Sequence, residues 1–497
     1  MRAQLAIDQS TSATKAVLFD AEGTVLHRVS CEHRQHYPAP GLVEHDAEEI
    51  WRNVLASSGE VLAKAPAAIT GLRCVSIANQ RETVVVFDRR TGRPLMPAIV
   101  WQCRRGAPLC AAQRELGRNA SVLERTGLPI DGYFSASKLQ WIVRNVPEIA
   151  ARLASREALC GTIDTYLIYR LTRGAVFATD HTNASRTLLY NLRTRKWDEE
   201  LCDWWQVPPR ALAEILPSDA QFGATDLDGL LASPVPICGV MGDSHAALFS
   251  QRCLETGSAK VTFGTGSSIL VNTGPELPRP SVNTLAALAW VRGDGPVFAL
   301  EGLINSSAAT LTWLRSQLGI LDDIADAERI AREVGDAGSV YLVPAFSGLG
   351  APYWRDDARA AIVGLTAHSD RRHLVRAALE SIAYQLRDVV DAMRAETSLE
   401  LQELRADGGP TSNALLMQFV ADVLRVNLRV TCGSDSAASG AALMGALATG
   451  AAASAADFNM PGDEVIYQPR MSAPQAQARY AGWQRAVSQV LYGAMNS

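Results

Sequence analysis

Neither a Cys-x-x-Cys pair nor any clustering of cysteines occurs in the 497 residues. The nine cysteines, at positions 31, 74, 103, 110, 160, 202, 238, 253 and 432, are odd in number and scattered. That pattern argues against a disulfide framework or a zinc site, and a reducing cytoplasm is the expected location. Basic runs are also lacking, and a formal net charge of -5 gives no electrostatic footprint for nucleic acid. Long apolar runs are missing too. The N-terminus meets Asp8 before it becomes apolar for long enough to serve as a signal peptide. The small-residue stretch Ala441 to Ala456 is interrupted by glycine and falls short of the roughly 20 residues that a membrane span needs. A buried helix is expected there, and no membrane insertion. No low-complexity linker divides the chain, so the boundary near residue 250 is expected to lie within a hinge.

What is present fits a soluble two-domain protein. The length exceeds what one core usually spans, which gives domains of residues 1-250 and 251-497. Hydrophobic residues make up 47% and charged residues 20%, ordinary values for a globular chain. The stretch Gly239 to Ser268 organises the rest. Val235 to Val240 is a short apolar run that breaks at Gly242, so Asp243 should sit just past the end of a buried strand, where open α/β sheets bind ligands. A helix is predicted to start at Ala246. Ala259 to Phe263 and Ile269 to Asn272 read as strands joined by Gly264-Thr265-Gly266-Ser267-Ser268, a turn with many backbone donors and little bulk. A turn or a helix cap would explain these residues equally well if they stood alone.

The same device occurs near the N-terminus. Leu5 to Asp8 and Ala16 to Asp20 flank Gln9-Ser10-Thr11-Ser12-Ala13-Thr14-Lys15, a turn with four hydroxyls and a lysine, which suggests internal duplication. Asp46, three residues before Glu49, predicts the start of a helix over 47-63. Leu72 to Ala78 reads as a buried strand ending in the polar cluster Asn79-Gln80-Arg81-Glu82-Thr83. That cluster is either a solvated hairpin tip or a site whose Arg and Glu bond adjacent hydroxyls of one small molecule. Pro97 to Arg105 looks like a strand end carrying Trp101, and Asp131 to Ser135 precedes a helix from Lys138 to Arg144. Trp101 and Tyr133 are either core anchors or the apolar wall of such a site. Further helices are predicted from about Ser306 to Leu318 and from His373 to Ala395. Leu404 to Asp407 ends at Gly408-Gly409, which opens a helix over Asn413 to Leu424. That glycine pair is a plain entry turn or a nucleotide approach.

With these residues in hand, the chain resembles the FGGY carbohydrate kinases over most of its length, and among them the members that act on glycerol. The resemblance is carried by Tyr133-Phe134-Ser135-Ala136-Ser137-Lys138-Leu139-Gln140-Trp141 and by Ala360 to Glu380 with Gly364-Leu365 and His373-Leu374. Asn79 to Thr83, Ile99 to Arg105, Thr179 to Arg186 and Phe346 to Trp354 add to it. It implies an α/β fold of the two-domain actin and hexokinase (ribonuclease H-like) type, each domain a mixed sheet flanked by helices, with a cleft between them. It implies ATP and magnesium as cofactors, a small polyol or sugar as substrate, and a homodimer or homotetramer.

By the same resemblance, Asp243 is the base that faces the substrate hydroxyl, and Asp8 with Asp243 helps hold magnesium. Thr11, Ser12, Thr14 and Lys15 surround the phosphates, while Gly264, Thr265, Gly409 and Asn413 bind ATP from the second domain. Arg81, Glu82, Trp101, Tyr133, Ser244 and Ser268 hold the polyol. The implied reaction is phosphorylation of glycerol to sn-glycerol 3-phosphate, with a four- or five-carbon polyol or ketose as the alternative. That alternative rests on departures from the family pattern. Ser244 stands where glutamine is usual and Ser268 where phenylalanine is usual, so a larger and wetter pocket is expected. Ser10 replaces a glycine, and Ala232-Ser233-Pro234 replaces a Gly-Thr-Arg loop that binds fructose bisphosphate in some members, so that feedback is not expected.

Overall fold

The computed structural model describes residues 2-495 except 294, 398, 434, 460 and 461. Two mixed sheets with parallel layouts dominate it. In the first, the strand Ala3–Gln9 lies between its hairpin partner Ala13–Asp20 and the parallel strand Leu72–Asn79, with Val25–Glu32 on one side. On the other side follow parallel Val235–Gly242 and antiparallel Gln221–Thr225. The second sheet repeats the plan. Ala259–Phe263 pairs with the hairpin partner Ser267–Gly274 and with parallel Glu403–Asp407, followed by parallel Asn427–Cys432 and antiparallel Asp463–Tyr467. The duplication read from two similar turns is thus a duplication of whole sheets.

These strands are near-continuous apolar runs because both of their faces are covered. Ala3–Gln9 is buried at every position. Two helices, Asp243–Ser250 and Ser436–Ala448, are sandwiched between the sheets. They share one core with Ala6, Phe19 and Met241 of the first sheet and with Leu270 and Trp290 of the second. The second of these helices overlaps the stretch expected to be a buried helix, beginning five residues before Ala441 and ending at Ala448, and its small residues have a packing reason. A Cβ on Gly440 would sit 1.8 Å from the Ala246 carbonyl oxygen, and one on Gly445 would sit 2.3 Å from Ser76 Oγ. Only bare backbone lets it approach so closely. Among the described residues no helix is long and apolar enough to cross a membrane.

Parallel pairing brings strand ends together. Gln9 lies opposite Asn79, and Asn79 opposite Gly242, so three carboxyl ends line one edge of the first sheet. In the second, Thr262 lies opposite Asp407. Several predicted boundaries moved. The helix expected from Lys138 begins at Ser135, and the one expected from Ser306 begins at Ala309. The strand expected over Pro97 to Arg105 contracts to Ala98–Ile99. Asp46 caps its helix by accepting from the Glu48 N–H rather than through a box with Glu49.

Candidate active site

Asp243 sits just past a strand end, as expected, but it opens the helix itself, three residues before the predicted start at Ala246. Its Oδ1 accepts the Ser244 N–H at 2.6 Å, which fixes the carboxylate at the helix N-terminus, where negative charge is favoured. Gly242 is held in turn: its N–H donates to Thr182 Oγ1 at 2.8 Å. The Asp180 carboxylate accepts from the Thr182 and Asn183 N–H groups, the Thr182 hydroxyl, the Asn183 amide and Ser218 Oγ, all at 2.8 to 2.9 Å. Asn183 then exchanges amide bonds with Asn79 at the neighbouring strand end. One buried carboxylate therefore sets two strand ends at once. Such fully donated acceptors make a buried charge tolerable.

Beside Asp243 runs an alternating row of charges. Arg81 Nε lies 3.4 Å from Asp243 Oδ1, and the Arg81 fork donates to Glu301 at 2.8 and 3.2 Å. Arg186 Nη1 lies 2.7 Å from Glu301 Oε2, and Arg186 Nε donates to Glu82 Oε1 at 2.7 Å. The Ser268 hydroxyl donates to Glu301 Oε1 at 2.9 Å. Burial opposes charge on Arg81, but Glu301, Glu82 and Asp243 hold the guanidinium charged. Burial alone would raise the Glu301 carboxyl, yet Arg186 and Arg81 hold it below the ordinary carboxylate range. Glu82 is raised by its burial, an effect that Arg186 and Arg81 only partly offset. Glu82 also has a positive φ of 62° in a tight turn closed by the Thr83 N–H on the Arg81 carbonyl. Gly242 lacks a side chain for a local reason: a Cβ would lie 2.8 Å from Arg81 Cδ.

The two aromatic side chains singled out in the sequence come together. Trp101 and Tyr133 meet with ring centres 5.2 Å apart, and Trp101 Nε1 donates to Thr11 Oγ1 at 3.0 Å. That bond ties the aromatic pair to the first hydroxyl-rich turn. Lys138 is fully buried, and its ammonium donates to the carbonyls of Gly132, Tyr133 and Phe134 at 2.7, 2.5 and 3.1 Å. It fixes the segment that carries Tyr133. Burial lowers the Lys138 ammonium to about 8.

Asp8 lies one residue before the end of the first strand, with Lys15 Nζ 3.9 Å from its Oδ2, while its Oδ1 is buried without a protein hydrogen bond. Burial raises the Asp8 carboxyl to about 6, opposed by Lys15 and assisted by Asp243 and Asp435. Ser12 is exposed on the turn, whereas Thr14 is fully buried on the strand that follows it, opposite Gln9. In the second domain Gly264 and Thr265 form the predicted hairpin turn, and their carbonyls accept from Ser307, Ala308 and Ala309 at the head of the next helix. Gly408 packs on that hairpin: a Cβ would sit 1.9 Å from the Phe263 carbonyl oxygen. Its neighbour Gly409 is exposed, with nothing in reach of a Cβ. Asn413 caps the helix Ala414–Leu424, accepting the Leu416 N–H at 2.9 Å.

Arg81, Glu82, Asp243, Trp101, Tyr133 and Ser268 therefore converge, and Asp8 and Lys15 sit next to them. Glu301, Arg186, Asp180 and Lys138 carry site structure that the sequence reading did not assign. A signal existed for Glu301: a lone carboxylate between the apolar Val297 to Leu300 and Leu303-Ile304 needs a buried partner. Arg186 lay inside a motif that drew notice without a role.

Comparison with known proteins agrees with this layout. The N-terminal domain of the FGGY family of carbohydrate kinases matches residues 3–250, and the C-terminal domain matches 259–449. The chain is 45% identical over 489 residues to glycerol kinase 1 of Thermotoga maritima, covering 98% of this chain and 99% of that one. It is 43% identical over 488 residues to a glycerol kinase of Desulfitobacterium hafniense, covering 98% and 99%. The crystal structure of Plasmodium falciparum glycerol kinase with ADP superposes with a TM-score of 0.93 at 35% identity, covering 99% of this chain and 98% of that one.

Proposed function

We infer the activity from one premise: the chain belongs to the FGGY family of carbohydrate kinases, phosphotransferases with an alcohol group as acceptor. On that premise the protein transfers the terminal phosphoryl group of ATP to glycerol, giving sn-glycerol 3-phosphate. The observation that carries the reading is the pairing of Asp243 with Arg81 at 3.4 Å, at the end of a parallel strand and beside Glu82 and Tyr133.

Phosphoryl transfer depends on positioning and charge neutralisation around a loose transition state, with little covalent work for the protein. Arg81 and Glu82 hold neighbouring hydroxyls of the acceptor, the guanidinium by donating and the carboxylate by accepting. Trp101 and Tyr133 cover its carbon chain. Asp243 accepts the proton of the attacking hydroxyl as the new bond forms. Thr11, Ser12 and Lys15 supply donors and positive charge on the phosphate side. Gly264, Thr265, Gly409 and Asn413 are proposed to hold the nucleotide from the second domain. Thr14, buried on the following strand opposite Gln9, is proposed to hold the base of that turn.

Magnesium fits the residues present. Asp8 keeps a buried oxygen free of protein partners, and Mg2+ needs only one or two carboxylates besides phosphates and waters. That economy agrees with the described residues, which contain no group of three or more His, Cys, Asp or Glu able to cage a metal. Asp8 and Asp243 are the residues proposed to hold it, and the bound ion supplies neutralisation of phosphate charge. Eight described cysteines are free, which supports a cytoplasmic setting, and a homodimer or homotetramer is proposed, to be checked by light scattering.

A second reading has its own support. Ser244 and Ser268 are small, and Ser268 presents a hydroxyl anchored on Glu301 instead of an apolar wall. Such a pocket suits a four- or five-carbon polyol or ketose. Parallel kinetics on glycerol, erythritol, xylitol and xylulose separate the two. A kcat/KM for glycerol about a hundredfold below that of another compound, worth roughly 2.7 kcal/mol, retires glycerol as the substrate.

A further inference from the structure

The charge row beside Asp243 is assembled from both halves of the chain. Arg81, Glu82, Arg186 and Asp243 all come from the first domain, and Glu301 comes from the second, on the strand Gly295–Ile304. It sits between the two arginines, with the Arg81 fork on both of its oxygens and Arg186 Nη1 at 2.7 Å from Oε2. Ser268, also from the second domain, donates to Oε1 at 2.9 Å. Glu301 is fully buried, and Arg81 and Arg186 are 5% and 0% exposed.

The fork geometry has a consequence. A guanidinium is planar, so two bonds from Nη1 and Nη2 to one carboxylate fix its plane and the direction of its remaining Nε–H. Here that remaining nitrogen faces Asp243. The partner that aims Arg81 at the reacting carboxylate is therefore supplied by the other domain. Electrostatics reinforce the arrangement. Without Glu301, Arg81 and Arg186 would be two cations buried around one vacated position, with Glu82 and the partly exposed Asp243 as their counter-charges.

We propose that Glu301 is a positioning residue that orients Arg81 toward Asp243 and the acceptor, and so makes the acceptor site complete only when the second domain is docked on the first. Because it rests on the kinase reading, wild-type enzyme is assayed in parallel. If wild type turns over none of the tested polyols, that reading fails, whatever the variant does.

The experiment compares wild type with Glu301→Gln, which keeps the shape and removes the charge. Steady-state kinetics on glycerol are paired with calorimetric titration of ADP. The expected result is a polyol KM raised at least tenfold and a kcat lowered at least tenfold, with the ADP Kd within twofold of wild type. Glu301→Asp, which keeps the charge one methylene short, is expected to recover part of the loss in KM. A role confined to stability would lower the melting temperature and leave the polyol KM of the folded fraction unchanged, and that result overturns the proposal. So does a parallel loss of ADP binding, because Glu301 would then be supporting the second domain in general. Where Glu301→Gln is insoluble, the same quantities are read on Glu301→Asp, and a polyol KM within twofold of wild type overturns the proposal.

Discussion

Replacing Asp243 by asparagine removes the proposed proton acceptor, and one of the two carboxylates proposed to hold magnesium, while leaving the rest of the site in place. The amide has nearly the shape of the carboxylate, and its oxygen can still accept the Ser244 N–H that the carboxylate receives at 2.6 Å. The helix start therefore survives. What disappears is one negative charge 3.4 Å from Arg81 Nε, together with the group that takes the hydroxyl proton; magnesium keeps Asp8 and exchanges one carboxylate for an amide oxygen. The first loss is small: the Asp243 side chain is 36% exposed, and so screened a pair contributes about 1 kcal/mol or less. Arg81 moreover keeps its fork on Glu301. The second loss is large, since a positioned general base contributes about 10²- to 10⁴-fold, or about 3 to 5 kcal/mol. The expected outcome is a kcat at least a hundredfold lower, a glycerol KM changed by less than about fivefold, and unaltered ADP affinity. A coupled assay of ADP release, with calorimetric ADP titration alongside, reads all three. Residual kcat above one tenth of wild type would falsify the assignment of Asp243 as the base. The suspicion would then fall on Glu82, the buried carboxylate now engaged by Arg186.

Three further perturbations probe what holds the site. Thr182→Val preserves shape but strands the buried Gly242 N–H, so urea unfolding should show a loss of about 1–3 kcal/mol; an unchanged midpoint would mean that another acceptor takes over. Gly408→Ala forces a Cβ to within 1.9 Å of the Phe263 carbonyl at a φ of 101°, and ADP affinity is expected to fall at least tenfold with soluble protein still recovered. Affinity equal to wild type would separate this turn from nucleotide binding. Lys138 gives a pH signature. Its folded ammonium titrates at about 8 against 10.5 when free, so between those values the unfolded chain holds a proton that the folded one has released. Stability from this group therefore rises as pH climbs from 8 to 10.5, by at most roughly 3 kcal/mol. Measured as wild type minus Lys138→Met, that rise should be visible in chemical denaturation, and a flat difference would show that Lys138 keeps its charge throughout.

Local features of this fold were readable because they repeat over short distances along the chain. The two hairpins announce themselves as apolar runs interrupted by hydroxyl- or glycine-rich turns, and Asp243 as the residue after a buried run broken by glycine. Arg81-Glu82 was visible as a polar cluster between two apolar strands, Trp101 as an aromatic residue at a strand end, and Tyr133 as one just before a helix. What stayed hidden is pairing at a distance. Arg81 finds Glu301 across 220 positions and Glu82 finds Arg186 across 104, and nothing in either neighbourhood names the other. Asn413 shows the same ambiguity in reverse. Its side-chain oxygen accepts the Leu416 N–H as a helix cap, and the nucleotide contact proposed for it falls to its amide NH2. Ser268 is the sharpest case. Read along the chain, it is a missing aromatic ring and hence an enlarged, wetter pocket. In three dimensions its hydroxyl is committed to Glu301, so the position trades an apolar wall for a bond that steadies the arginine anchor. Volume lost at one residue therefore does not convert directly into room for a longer substrate, because the Ser268 hydroxyl at that position is already held by Glu301.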